Sequence, residues 1–117
     1  MALEFYNRIK AHAENTPDKP AIFDGDSTLS YSQLRENIER FAGALEMLDL
    51  NPDSKLGVLC LNQKEYLIAY LGALLKGLPA VPMNFLLSPE DLVFIVQEKC
   101  GLWHDGISYQ LDGKFAV

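Results

Sequence analysis

Cysteine is scarce in this sequence, and neither of its two cysteines stands in a pattern that binds metal or forms a redox pair. Cys60 and Cys100 lie outside any C-x-x-C motif, and no histidine stands at ligand spacing from either. Zinc and dithiol sites need such spacing because their sulfur and nitrogen atoms must converge on one centre. We therefore expect no such site, and Cys60, placed between Leu59 and Leu61, is predicted to be an inert buried thiol.

The chain also lacks a run of basic residues. Its formal net charge is −6, and an acidic chain repels phosphate backbones unless it carries a local basic patch. Arg35 and Arg40 alternate with Glu36 and Glu39, which is typical of a solvated helix face. Nucleic acids and anionic membrane surfaces are therefore not expected as partners.

No apolar stretch is long enough to cross a bilayer. The longest run, residues 66–75, has ten residues, whereas a membrane-spanning helix needs about twenty. The first residues include Glu4, Arg8 and Lys10 and lack the apolar centre of a signal peptide. With 117 residues, 49% of them apolar and 22% charged, the chain is predicted to be one soluble, cytoplasmic unit with a single core.

Helical spacing and turn residues organise the first half of the chain. Apolar residues recur at steps of three and four across residues 3–14, which predicts a helix. Two short β-prone segments, 21–23 and 28–31, flank an Asp-Gly turn and predict a hairpin. Ser30 then opens an amphipathic helix, with Gln33 at the spacing of a capping box.

The second half begins with a strand, a helix and another strand. Residues 56–61 form a continuous apolar run, which predicts a strand covered on both faces. Asn62 is expected to cap the next helix, with Glu65 in its first turn. This helix is apolar almost all round, so it should be buried and end near Lys76. Residues 80–83 predict another short strand, and Pro82 places it at a sheet edge or marks the end of the strand.

A last helix is predicted over residues 88–99, with proline at its first position. A strand–helix–strand crossover gives parallel strands with helices on the faces. The predicted fold class is therefore α/β, a partial parallel sheet flanked by helices, with an N-terminal β-hairpin. Two Asp-Gly pairs in residues 102–117 predict a β-rich tail, so we divide the chain into 1–101 and 102–117.

Five short segments carry recognisable motifs in a fixed order. They are TPDKPAI at 16–22, LSYSQL at 29–34, VLCLN at 58–62, LGALLKGLPAVPMN at 71–84 and LSPEDL at 87–92. Together they resemble the N-terminal region of the adenylate-forming, or AMP-binding, superfamily over residues 5–101. Residues 83–87 are more similar to the acyl- or aryl-CoA ligases than to peptide-synthetase domains. The chain departs from the family pattern at Gln33, where Glu is commoner, at Lys76, which is displaced by one position, and at Leu86, where some CoA ligases carry Arg.

The resemblance implies an N-terminal fragment of an ATP-dependent acyl-CoA ligase of fatty acid metabolism. Such enzymes convert a carboxylate and ATP to an acyl-adenylate and then form a thioester with CoA. ATP, magnesium and CoA are implied for the full-length family, but this chain contains none of the catalytic, cofactor-binding or metal-binding motifs and is expected to be inactive alone. The resemblance places Asn62 and Asn84 at the substrate channel, although a turn role for Asn84 is an equal alternative.

The downstream ligase regions are the partners that this interpretation implies. Without them, an uncovered sheet edge would favour self-association. The main alternative is a stand-alone, non-catalytic module that binds a protein or an acyl ligand, favoured by the tail. A small nucleotide-binding protein is a weaker alternative, since no glycine-rich loop follows either predicted strand.

Several polar or aromatic residues have plain structural explanations. His104 and Asp105 are adjacent, and no motif places a nucleophile beside them, so a surface loop is expected. Lys76 is expected to favour a helix C-terminus rather than bind phosphate. His12 is predicted to lie on an exposed helix face. Tyr66 and Tyr70 are predicted to belong to the core.

Overall fold

The helices and strands follow one another along the chain in the order that the sequence predicts. The computed structural model describes residues 2–50, 52–59, 63–83, 86–99, 109–111 and 114–116. In chain order its elements are α1 (Ala2–Asn15), β1 (Pro20–Asp24), β2 (Ser27–Ser30), α2 (Tyr31–Glu46), β3 (Leu56–Leu59), α3 (Lys64–Leu75), β4 (Ala80–Met83), α4 (Pro89–Lys99), β5 (Tyr109–Leu111) and β6 (Lys114–Ala116). The α/β fold class, with a partial parallel sheet and an N-terminal hairpin, is confirmed.

The strands form two separate sheets. β1 and β2 make the predicted antiparallel hairpin. β3 and β4 are parallel, with Leu56 opposite Ala80 and Leu59 opposite Met83. The second sheet has the order β4-β3-β6-β5, and β6 is antiparallel to both of its neighbours. The two strands of the strand–helix–strand unit therefore form one side of a mixed sheet, with β4 at its edge.

The start of α2 is fixed by residues close in sequence. The Ser30 hydroxyl accepts a hydrogen bond from the Gln33 N–H at 3.2 Å, and Gln33 Oε1 accepts one from the Ser30 N–H at 2.9 Å. This reciprocal capping box satisfies two backbone donors at the helix N-terminus, as predicted. The helix then buries one face, formed by Leu34, Ile38, Phe41, Ala42 and Leu45.

The core is formed chiefly where α3 packs against α2. Gly72 of α3 lies so close to α2 that an added Cβ would be 2.6 Å from Phe41 Cδ1 and 3.3 Å from the Ile38 carbonyl oxygen. A glycine at this position lets the two backbones approach, and Ile38 is fully buried beneath the contact. α3 ends at Leu75, and Gly77, which follows its C-cap residue, has a φ of +70°, a conformation that other residues adopt with strain.

A polar cluster attaches α1 to α2 beside the buried Ile9. The Tyr6 hydroxyl donates to Glu39 Oε1, and Arg35 Nε donates to the same oxygen at 2.9 Å. Arg35 also lies 3.7 Å from a Glu14 carboxylate oxygen. The hydrogen bonds from Tyr6 and Arg35 lower the pKa of Glu39, whereas burial and the neighbouring carboxylate raise the pKa of Tyr6. The cluster therefore favours a charged Glu39 and a neutral Tyr6.

We predict opposite effects of the same substitution at two helical glycines. Gly72→Ala should destabilise the protein by about 1–3 kcal/mol, because the new methyl group overpacks the α2–α3 contact. Gly43→Ala in α2 is the matched control, since nothing lies within 4 Å of its added Cβ, and it should stabilise by about 0.5–1 kcal/mol. Urea unfolding of both variants measures the change in the free energy of unfolding. Changes of the same sign in the two variants would contradict the proposed close contact.

A pH dependence follows from the lowered pKa of Glu39. Its stabilising effect is present above about 4.5, the ordinary carboxyl value, and is lost as the pH falls through the lower folded-state pKa. The carboxylate is partly exposed, so the effect should be small, about 0.2–1 kcal/mol. Glu39→Gln should flatten the acid side of a plot of unfolding free energy against pH. Glu36→Gln, which removes one charge from the same helix, is the control, and an unchanged slope in Glu39→Gln would contradict the prediction.

Candidate functional site

The carboxyl ends of β3 and β4 lie side by side. Leu59 and Met83 are the last residues of these strands, and they are opposite each other in the parallel register. In open α/β sheets, ligands bind beyond the carboxyl ends of parallel strands. Asn62 and Asn84, the two predicted channel residues, follow these ends in sequence, but both lie outside the described residues. The substrate-channel assignment therefore stays a prediction.

The prediction that Asn62 caps α3 is wrong. The helix begins at Lys64, and its N-cap is Gln63, whose side chain makes no capping hydrogen bond. The cap comes instead from the hairpin, because Asp24 Oδ2 accepts a hydrogen bond from the Lys64 N–H at 3.1 Å. Asp24 is forty residues earlier in the chain, so no local sequence pattern signals this contact.

The side chain of Lys64 makes a second connection to the hairpin. Its Nζ donates to the Ser27 hydroxyl at 3.3 Å and lies 3.5 Å from Glu65 Oε1. Glu65 is only 6% exposed, and a buried carboxylate is costly unless a cation or a donor is near. Beside this pair, the enclosed Gln63 Oε1 has no hydrogen-bond partner within the described part of the chain. The first turn of α3 is thus a polar patch next to the carboxyl edge of the sheet.

The N-terminus of α3 does not fit an ATP phosphate group. A helix N-terminus can bind phosphate through its free N–H groups and its dipole. At α3, however, the Asp24 carboxylate already accepts from the first N–H, and its negative charge would repel phosphate. Within residues 2–50, 52–59, 63–83 and the other described segments, no group of three or more metal-ligating side chains is found.

Lys76 is held by an ion pair at the end of α3. Its Nζ lies 2.8 Å from Glu46 Oε2 at the end of α2, and the hydrogen bond from Lys76 lowers the pKa of Glu46. Lys76 is the C-cap residue of α3, which agrees with its predicted place at a helix C-terminus. The pair therefore joins the ends of the two core helices.

The remaining candidate residues that the structure describes are packing residues. His12 is exposed on α1, as predicted, and its ring stacks on Tyr31 with centroids 4.7 Å apart. Tyr66 and Tyr70 are partly buried against the core. His104 lies outside the described residues, as do Asp105 and both cysteines.

No helix among the described residues is long and apolar enough to cross a membrane.

Removal of the Asp24 cap should destabilise the first turn of α3. Asp24→Ala should lower the unfolding free energy by about 0.5–2 kcal/mol, since the Lys64 N–H loses its acceptor. Asp26→Ala, in the exposed turn of the same hairpin, is the matched control. Urea unfolding and amide hydrogen exchange at Lys64 measure the effect. If the two alanine variants behave alike, Asp24 does not cap the helix.

Known proteins similar in sequence support the family resemblance. The profile of the AMP-binding enzyme family matches residues 9–100. The chain is 32% identical over 108 residues to the medium/long-chain-fatty-acid–CoA/3-oxocholest-4-en-26-oate–CoA ligase of Mycolicibacterium smegmatis, a match that covers 85% of this chain and 20% of the ligase. It is 33% identical over 90 residues to bacitracin synthase 1 of Bacillus licheniformis, covering 77% of this chain and 2% of the synthase. The chain thus spans about a fifth of the length of the first relative.

A solved structure shares the fold. The o-succinylbenzoate CoA synthetase of Bacillus subtilis, in complex with its acyl-adenylate intermediate, superposes with a TM-score of 0.72 at 24% identity. The superposition covers 80% of this chain and 25% of the synthetase, which has also been solved with ATP and a magnesium ion. With the family profile matching most of its length, the chain belongs to the AMP-binding enzyme family.

Proposed function

We propose that this chain forms the N-terminal part of an ATP-dependent acyl-CoA ligase. The observation that supports the proposal is the alignment of 85% of the chain with one fifth of a fatty-acyl-CoA ligase. In the whole enzyme, a carboxylate would attack the α-phosphate of ATP and release pyrophosphate. The thiolate of CoA would then displace AMP from the acyl-adenylate and leave a thioester. Fatty acids are the proposed substrate class, and the cytoplasm is the proposed location.

Within that enzyme, this part would act as a scaffold and as one wall of the acyl site. The paired strand ends Leu59 and Met83 support this role, because the segments that follow them in sequence contain Asn62 and Asn84. The tight packing of α3 on α2 behind the strands would hold that edge in place. These two asparagines are therefore our proposed channel residues.

The chemistry would come from residues outside this chain. No G-x-x-x-x-G-K-[ST] or G-x-G-x-x-G motif is present in the sequence, and the start of α3 is occupied by Asp24. We therefore assign the contacts to ATP, magnesium and CoA to later parts of a complete enzyme. Those later parts are also the proposed partners, since α4 leaves Val93 53% and Phe94 60% exposed, and apolar side chains in such positions favour a covering surface.

A second candidate is a stand-alone, non-catalytic module that binds a protein or an acyl ligand. It is favoured by β5 and β6, which lie outside the family match at 9–100 but still join the sheet, since β6 pairs with β3 and β5 pairs with β6. The two candidates differ in what the gene encodes after residue 117.

The isolated chain should not catalyse adenylation. We expect no carboxylate-dependent exchange of labelled pyrophosphate into ATP across a panel of fatty and aromatic acids, since phosphate-binding motifs are absent from the sequence. The fatty-acyl-CoA ligase of Mycolicibacterium smegmatis, assayed in parallel, serves as the positive control. Exchange by the 117-residue chain that depends on a carboxylate would overturn the proposal.

The gene itself decides between the two candidates. The source DNA should continue in frame past codon 117 into a Ser/Thr/Gly-rich loop ending in Lys-Gly. A stop codon at that point, with no such loop in any downstream frame, would refute the ligase fragment and favour the binding module.

A further inference from the structure

β3 has a paired strand on both sides. β4 lies parallel on one side, and β6 lies antiparallel on the other, with Val58 opposite Ala116. β4 belongs to the segment that the family profile matches, whereas β5 and β6 follow residue 100 and lie outside it. The second neighbour of β3 is therefore supplied by a part of the chain that the family profile does not cover.

The backbone of β3 lies in a buried part of the protein, where its N–H and C=O groups need hydrogen-bond partners. Its residues Leu56, Gly57 and Val58 are buried, and Val58 is only 1% exposed. A backbone N–H or C=O that is buried without a partner loses its hydrogen bonds to water and gains none in return. On the side of β3 that faces away from β4, the backbone of Val58 therefore needs a partner strand, and β6 provides one opposite Ala116.

The edges that remain in this sheet are poor templates for further pairing. β4 contains Pro82, which is exposed and has no N–H to donate. At the opposite end, β5 has only three residues, and very short edge strands are one way in which proteins avoid edge-to-edge association. The edge that would invite pairing is that of β3, a strand that contains no proline.

We propose that β5 and β6 form an intramolecular cap on the edge of β3, occupying the place where an extended strand would otherwise add. The strand that would add in their absence is that of a second copy of this chain. This inference concerns the covered edge and does not depend on the ligase function, so the pyrophosphate and gene tests can fail without affecting it.

Nuclear magnetic resonance on the unaltered, isotope-labelled chain tests the pairing directly. Residues opposite each other in an antiparallel pair bring their backbone protons close enough for a cross-strand nuclear Overhauser effect. We expect such a signal between Val58 and Ala116. Its absence in the folded full-length chain would overturn the proposal.

Two double variants of the full chain test whether the β3 amides lose protection when β6 can no longer pair with them. Phe115→Pro with Ala116→Pro removes two N–H groups from β6, whereas Phe115→Thr with Ala116→Thr keeps both and is the matched control. Hydrogen exchange at the β3 amides that face β6 should be about tenfold faster or more in the proline variant only. Amides of α2 and α3 should remain protected, which shows that the fold persists.

The proline variant should also associate. Its weight-average mass in sedimentation equilibrium should rise with concentration above the 13.1 kDa of one chain, while the threonine variant stays at that mass. Equal exchange at β3 in both variants, or a proline variant that remains monomeric with β3 unprotected, would contradict the edge cap. If the proline variant loses protection in α2 and α3 as well, the Overhauser signal in the unaltered chain decides the question.

Discussion

The close contact between α2 and α3 is the constraint on which the rest of this structure depends. Gly72 lets the backbone of α3 approach Ile38 and Phe41 of α2, so two helices joined by β3 pack as one layer. Because α3 also connects the parallel strands β3 and β4, its position fixes where both strands end. A displaced α3 would move the carboxyl edge of the sheet, and the proposed acyl wall with it.

The hairpin completes this arrangement at the N-terminal end of α3. Asp24 and Ser27 accept hydrogen bonds from the backbone and the side chain of Lys64, so the first turn of the helix is held by a neighbouring sheet. A carboxylate at a helix N-terminus is favourable because the exposed N–H groups and the helix dipole are positive there. The same carboxylate makes this terminus unsuitable for phosphate, which is consistent with a scaffold rather than a nucleotide site.

Local chemistry explains which parts of the fold were predictable from the sequence. Ser30 and Gln33 are three residues apart, and Gly77 directly follows a helical segment, so the start of α2 and the end of α3 could be read from neighbouring residues. The cap of α3 could not, because the helix begins after Gln63 and its acceptor is on a distant hairpin. The β-prone tail was recognisable from its Asp-Gly turns, but the partner of β6 depends on which sheet edge is available, and that is a property of the folded chain.

The candidate site, like the fold, depends both on residues close in sequence and on groups distant from them. The resemblance pointed to Asn62 and Asn84, and the parallel register of Leu59 with Met83 places the carboxyl ends of the two strands side by side, at the edge where α/β sheets bind ligands. Chemistry on ATP needs further groups that converge on the same edge, and a chain spanning a fifth of its ligase relative supplies strands and packing to that edge but no phosphate-binding motif. These observations support the scaffold role that we propose for the parallel strand pair. The backbone N–H and C=O groups on the open side of β3 can pair either with β6 or with another strand, but not with both at once.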